Sequence, residues 1–479
     1  MKENLFSYGA VDHEIISRLQ EAIGANNVSC DREKLDAYSY DEVPRSTYDR
    51  QYMADVLLFP ESTEHVSSIM KIASDARIPV TPRGAGTGLS GGVIPAYGGI
   101  IISFEKMNRI LELDKENLTV TVEPGVVTAE ISRLAAANNL LYAGDPCSGD
   151  ASFIGGNIAE NAGGNKVIKY GATSAQILAL EVVLADGSVT WFGGKRRKDV
   201  TGLDFVHLLS GSEGILAVVT KAILKLLPLP RYSVDILAAF KDVESAIAFV
   251  PSIITEASMI PASVEFLDKK ALKLAEDYLH TEVPAGDAGA ALIIQLEDNE
   301  QDQIEKQYEA IGKLSQEHGA YEVYIADTRS TKDRIWQARK SVPEAVSFFY
   351  SRYTKEDFVV PTNKVPELLG LMRDVCGGHS LEWVAYGHVG DGNMHCTVIG
   401  PESEDWHNIL AQVQREMYPK ILAMGGTLSG EHGIGFKRKD YIKYFLDSEQ
   451  IKLIKRVKLA FDPLNILNPG KIVDWNQPL

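Results

Sequence analysis

Two histidines, His388 and His395, stand seven residues apart in YGHVGDGNMHC, with Gly390, Asp391 and Gly392 between them. Glycines and an aspartate make a tight turn, so two imidazoles on the adjoining strands can project toward one centre. Alone, such a pair is more often structural than metal-binding. A second element shifts that balance: in GTLSGEHGIGFKRKDYI, Glu431 and His432 lie between glycines expected to open a helix. Two imidazoles and a carboxylate form a common ligand set for a divalent ion with an open position. Zinc suits these ligands, with iron and manganese as the alternatives.

A different chemistry is suggested by RGAGTGLSGG, residues 83–92. Glycines let several backbone N–H groups approach one anion closely. Gly84 and Gly86 stand at the interval of a dinucleotide-binding Rossmann loop, but position 89 is Leu where that loop needs a third glycine. Upstream, EHVSSIMKIASDARIPVTP reads as an amphipathic helix with Val66, Ile69, Met70 and Ala73 on one face, followed by a short strand. Downstream, Pro95 and two more glycines precede GIIISF, an apolar strand where a Rossmann unit requires a helix. The loop is therefore an anion nest without a helix behind it, or else a flexible surface turn. A second segment, GDPCSGDASFIGGNIAENAGGNKVIKYG at 144–171, again combines small residues with Asn157, Asn161 and two GG pairs, which favours the nest.

The elements that must position these groups follow from pattern. ILALEVVLADGSVTWFG is a hairpin signal, two β-rich runs around Asp186-Gly187. In GLDFVHLLSGSEGILAVVT, small residues precede another strand. Pro228 and Pro230 in LLPLPRYS end one region and begin the next. Beyond them, the strands SVDILAAF and AALIIQLED alternate with the helical stretches VESAIAFVPSIITEA and QIEKQYEAIGKLSQEHG, a βαβ-like arrangement around a sheet. Three regions are expected: 1–228, 229–422 and a tail, 423–479, that carries Glu431, His432 and the helical SEQIKLIKRVKLAFDP.

Length and charge narrow the function. A chain of 479 residues is too long for one compact core. A net charge of −17 argues against nucleic acid as partner, and the single dense basic run, KRRK at 195–198, reads as a solvated turn. Four scattered cysteines give neither a CxxC pair nor a disulfide framework, which suits a reducing compartment. No run of about eighteen apolar residues occurs, so the chain is expected to be cytoplasmic or at most peripheral to a membrane.

The motifs PRGAGTGLSGG, IGGNIAENAGG, GSEGILAVVT, GHVGDGNMH and GEHGIG occur in this order. On them, nearly the whole chain resembles the FAD-linked D-2-hydroxy-acid dehydrogenases. That branch of the vanillyl-alcohol oxidase type flavoproteins includes D-lactate dehydrogenase, the D component of glycolate oxidase and D-2-hydroxyglutarate dehydrogenase. The resemblance implies an α+β fold, with a vanillyl-alcohol oxidase type (PCMH) FAD-binding domain and an α/β substrate-binding cap domain. It assigns Arg83, Gly84, Ala85, Gly86, Thr87 and Gly88 to the diphosphate. Asp145, Pro146, Gly155, Gly156, Asn157, Asn161 and Gly164 would line the flavin, with Glu213, Gly214 and Ile215 nearby. Asn468 in LNPGKI would return to the ring, so the tail is expected to pack against the flavin site. With no histidine in the first loop, noncovalent FAD is expected.

By the same resemblance, His388, His395 and Glu431 would be metal ligands and His432 the base. A 2-hydroxy acid can chelate such an ion through its carboxylate and hydroxyl, and Arg339 in IWQARKSVPEAV and Lys355 in YTKEDFVVP would bind substrate; ordinary solvated charge is the alternative for both. Pro343 and Thr397 stand where the 2-hydroxyglutarate enzymes carry Thr and Asn, which favours D-lactate or glycolate. The expected reaction is oxidation of a D-2-hydroxy acid, with electrons passing to an electron-transferring flavoprotein, a quinone or an iron–sulfur subunit. The alternatives are a part of a larger complex, like the D component of glycolate oxidase, or a flavin subunit that mainly relays electrons between partners.

Overall fold

The structure is a computed structural model and describes residues 6–285, 287–402 and 405–475. Its contacts divide the chain into two units. The first comprises the chain up to Gly163, Ala172–Pro228, and the chain from Glu431 onward; the second comprises Gly164–Gly171 and Leu229–Gly430. The later boundary thus falls at 430/431 and not at 422/423. The cause is local: Thr427 and Ser429 form bridges with Val359 and Asp357, and the Gly430 N–H donates to the Asp357 carbonyl at 3.0 Å. Gly164–Gly171 joins the second unit because Lys166 Nζ and the Tyr170 hydroxyl both donate to the Glu297 carboxylate, at 2.6 and 2.7 Å.

In the first unit, helix Thr63–Ala76 starts at Ser62, whose hydroxyl accepts from the His65 N–H, and buries Val66, Ile69, Met70 and Ala73. It delivers the chain to strand Val80–Arg83, which pairs in parallel with Ile100–Ser103 in a four-stranded sheet. No helix lies between these two strands, so the crossover of a Rossmann unit is absent at this loop. The tail joins the same core. The Val80 N–H donates to the Ile466 carbonyl and the Asn468 N–H to the Val80 carbonyl, while Ile466 and Leu467 are buried with Val56, Ile78 and Ile100. A second, antiparallel sheet of five strands contains the expected hairpin: Ile177–Val183 pairs with Val189–Gly193, and Gly187 turns the chain at φ +85°.

The second unit holds a seven-stranded sheet. Its order is Ala320–Ala326, Tyr232–Phe240, Ala290–Asp298, Ser263–Asp268, Glu382–His388, Asn393–Ile399, Tyr353–Val359. The alternation of strand and helix is present, yet every neighbouring pair is antiparallel. The physical reason is interleaving: Ala290–Asp298 inserts between Tyr232–Phe240 and Ser263–Asp268, splitting the βαβ unit those two strands would have made. Helices Lys269–Leu279 and Arg329–Phe349 pack on one face of this sheet through Leu272, Ala275, Ile335 and Val342, against Leu267 and Val384.

Candidate functional site

A cavity of about 220 Å³ lies in the first unit among its glycine-bearing loops. Its walls include every residue from Arg83 to Gly88, together with Pro146, Gly155, Gly156, Asn157, Glu213, Gly214, Glu431, His432 and Asn468. Asp145, Asn161, Gly164 and Ile215 do not line it. Asn161 instead ends helix Ile154–Glu160 at φ +52° and accepts the Ser174 N–H on Oδ1 at 2.8 Å. Ile215 gives its carbonyl to Lys458 Nζ at 2.7 Å, and Gly164 belongs to the second unit.

The cradle is made of backbone. Among the described residues, no protein acceptor takes the N–H of Gly84, Ala85, Gly86, Thr87 or Gly88. These half-buried residues line the cavity, and a glycine-rich run of N–H groups with no protein acceptor suits an anion. A Cβ on Gly84 would stand 3.4 Å from the Gly156 Cα, so the two glycine loops approach each other bare side to bare side. A Cβ on Gly156 would meet no atom within 4 Å, which leaves a flat floor under open space. The Arg83 guanidinium is turned toward the carbonyls of Tyr38 (3.0 Å) and Gly84 (3.1 Å) and lies over the Tyr38 ring. Its contribution to the nest is therefore to fix the strand end.

Tail residues lock the loops around this space. Asn468 Nδ2 donates to the carbonyls of Glu213 (2.8 Å) and Gly92 (3.2 Å), and its Oδ1 accepts from Lys471 Nζ. The Glu213 carboxylate accepts the N–H groups of Ile434 and Gly435 at 2.7 and 2.6 Å. Burial pushes Lys471 down to about 7 and Asp41 up to about 6. Glu160 is held well above the carboxylate range by burial and then by the charges of Glu213 and Asp41. Glu431 and His432 begin this segment, with His432 Nε2 3.8 Å from Glu431 Oε1. The helix expected there does not form: Gly433 and Gly435 adopt φ of +84° and +54°, a 3-10 turn follows at Lys439–Tyr444, and α-helix starts only at Ser448.

The second unit presents a side-chain cluster. The turn at 389–392 pairs Glu382–His388 with Asn393–Ile399, so that Tyr386 faces His395 and His388 faces Asn393. Side chains alternate along a strand, which puts His388 and His395 on one face as diagonal neighbours. Their rings are 5.2 Å apart and nearly perpendicular. Across the sheet, Asp357 is the direct partner of His395, with carboxylate oxygen and Nδ1 3.5 Å apart; Asn393, Ser429 and the Gly430 N–H also donate to Asp357. On the other side, His388 Nδ1 donates to Glu265 Oε1 at 2.7 Å, and Arg339 Nε donates to Glu265 Oε2 at 2.8 Å. Arg339 is only 1 % exposed and lies over the Tyr386 ring, so it is not a solvated charge. Lys355 is half-buried on the same sheet face, opposite Thr397. Burial alone would raise Glu265; the neighbouring His388 and Arg339 more than offset it and hold the carboxyl below its usual range.

Glu265 and Asp357 were not identified from the sequence. Their one signal is a charged residue inside an otherwise apolar or β-rich run, SVEFLD and YTKEDFV. The expected metal ligands divide between the units, His388 and His395 in the second and Glu431 in the first. Among the described residues, no helix is long and apolar enough to cross a membrane.

Comparison with known proteins agrees with these features. The FAD binding domain family matches residues 54–193, and the C-terminal domain family of FAD-linked oxidases matches residues 229–472. The chain is 37% identical over 464 residues to glycolate oxidase subunit GlcD of Bacillus subtilis, covering 96% of this chain and 97% of that one. It is 34% identical over 474 residues to D-lactate dehydrogenase of Anaerostipes hadrus, covering 98% of each. In fold it resembles p-cresol methylhydroxylase, with a TM-score of 0.80 at 17% identity over 97% of this chain and 98% of that one. With both of its domains matched and its glycine nest formed without a Rossmann helix, the chain belongs to the FAD-linked oxidase family and is an FAD-linked oxidoreductase of the PCMH-type fold.

Proposed function

We propose that the chain oxidises a small D-2-hydroxy acid to the 2-oxo acid, with D-lactate as its first substrate, and passes the electrons to a separate acceptor. The observation that carries this reading is Arg339 beside His388, both buried and both held by Glu265. A buried, oriented guanidinium suits a substrate carboxylate, and an imidazole held by a carboxylate through one nitrogen suits a divalent ion through the other. Relatives named D-lactate dehydrogenase support the substrate class.

The residues present fit the groups that such chemistry needs. Five N–H groups along residues 84–88 would hold the FAD diphosphate, and the bare surface of Gly156 would admit a planar ring. His388, His395 and Glu431 would hold a divalent ion, zinc first with iron or manganese as alternatives. When bound, the flavin supplies a two-electron acceptor and the ion a Lewis acid. Arg339 binds and orients the carboxylate, Lys355 adds a second positive charge on the same sheet face, and a neutral His432 receives the hydroxyl proton on its ring. The 37% identical glycolate oxidase subunit favours a second reading, glycolate oxidation by this chain within a larger complex. An electron-transferring flavoprotein, a quinone or an iron–sulfur subunit would then be the acceptor.

Anaerobic titration of the purified flavoprotein with D-lactate, glycolate and L-lactate tests both readings. D-lactate is expected to bleach the flavin and L-lactate to leave it oxidised. Bleaching by glycolate alone selects the second reading, and no bleaching by any of the three defeats both. His432→Ala should retain FAD and lose reduction; unchanged reduction removes His432 as the base. Chelation should abolish turnover, and one added ion should restore it.

A further inference from the structure

We propose that Glu265 is a positioning residue that serves both metal binding and anion binding, by fixing with one oxygen the tautomer of His388 and with the other the orientation of Arg339. The inference rests on the reading of His388 as a metal ligand. Glu265 is fully buried on strand Ser263–Asp268, and its partners are 3 % and 1 % exposed, so water does not compete for these bonds. A carboxylate only accepts, so the proton between it and His388 sits on Nδ1. The lone pair available to an ion is then that of Nε2. The second oxygen takes the Arg339 Nε–H, which fixes the plane of the guanidinium. One carboxylate therefore orients two groups with different tasks.

Sharing makes a distinctive prediction for Glu265→Gln. The amide has the same shape but a single acceptor. Arg339 cannot give up its proton, so the amide oxygen turns to it and the NH₂ faces His388. His388 Nδ1 must then accept, which moves its proton to Nε2 and blocks that atom as a ligand. Zinc affinity should fall about 10- to 100-fold, the loss typical of a ligand's supporting partner. The KM for D-lactate at saturating zinc should stay within about twofold, because Arg339 keeps its acceptor.

The experiment uses the full-length flavoprotein and Zn²⁺ as the probe. Zinc affinity is measured by chelator competition in wild type, Glu265→Gln and His388→Ala, alongside KM and kcat for D-lactate at saturating zinc. Wild-type zinc affinity in Glu265→Gln overturns the proposal. If His388→Ala loses zinc while Glu265→Gln does not, the positioning role of Glu265 alone has failed; if His388→Ala also binds normally, the ligand reading has failed with it. A second measurement needs no folded variant. In metal-free wild type labelled with 15N-histidine, His388 should carry its proton on Nδ1, and an Nε2-protonated ring overturns the proposal.

Discussion

The glycine cradle of the first unit and the histidine face of the second are built from opposite materials. In the cradle the groups that would meet a ligand are backbone N–H donors, and side chains such as Arg83, Glu213 and Asn468 hold the loops to one another or to the strand ends. On the histidine face the backbone is occupied by a regular antiparallel ladder, and the groups that would meet a ligand are side chains selected by strand register. A backbone site fails when an added atom changes where the chain runs. A side-chain site fails when a buried charge loses its partner. The two therefore break under different substitutions, and each break has its own readout.

The largest effect is expected in the cradle. A Cβ at Gly155 would fall 2.6 Å from the Pro124 Cβ and 3.0 Å from its carbonyl oxygen, while the Gly155 N–H already donates to that oxygen. Gly155→Val should displace the loop and yield protein without bound flavin, read from the ratio of flavin to protein absorbance. On the histidine face, Arg339→Met leaves Glu265 buried with His388 as its remaining partner. Loss of one member of a buried pair costs about 3–5 kcal/mol, which denaturant unfolding of the apoprotein would resolve. A Met variant as stable as wild type would mean that the pairing adds nothing to folding.

The same contrast explains what could be read from the sequence. The glycine loops are legible because a backbone site uses consecutive residues: 83–88 is one motif and 155–157 part of another. The helix Thr63–Ala76 and the hairpin at Asp186-Gly187 are legible for the same reason, being fixed by spacing within one segment. Glu265 and Asp357 are not, because they meet His388 and His395 only through the pairing of strands far apart in the chain. The interleaving of Ala290–Asp298 between two earlier strands is hidden likewise, since alternation of strand and helix does not specify strand order. The helix expected at Glu431 fails for a local reason, two glycines in left-handed conformations that the GEHGIG pattern permits but does not require.

A smaller effect separates the units by pH. Burial raises Asp41 in the first unit and Asp268 in the second to about 6. Asp268 caps helix Lys269–Leu279, accepting the Ala271 N–H, and also accepts that of Ala385. A carboxyl whose folded pKa exceeds its unfolded value contributes stability that is complete below about pH 4 and is lost as pH rises through 6, about 3 kcal/mol for a shift of this size. Unfolding free energy should thus carry a falling component from pH 4 to 6, flattened in Asp268→Asn. Asp41 lines the cavity and Asp268 does not, so saturating FAD should alter the Asp41 component alone. Equal slopes in wild type and Asp268→Asn would show that this buried acid titrates as if exposed.

The smallest effect is the sharpest test of the difference between the two materials. Gly156 lies inside helix Ile154–Glu160, where its backbone is helical and an added Cβ would meet no protein atom within 4 Å. In the apoprotein, Gly156→Ala restrains the unfolded chain and should stabilise the fold by about 0.5–1 kcal/mol. The same methyl group projects into the cavity, where it occupies space that the cradle otherwise leaves open. Thermal unfolding of the apoprotein and FAD titration of the same sample should therefore move in opposite directions, higher melting temperature with weaker binding. Arg339 and His388 cannot give that pattern, because each also satisfies the buried Glu265. A Gly156→Ala protein that binds FAD as tightly as wild type would place the ring away from this wall and leave only the nest at residues 84–88 as the flavin's anchor.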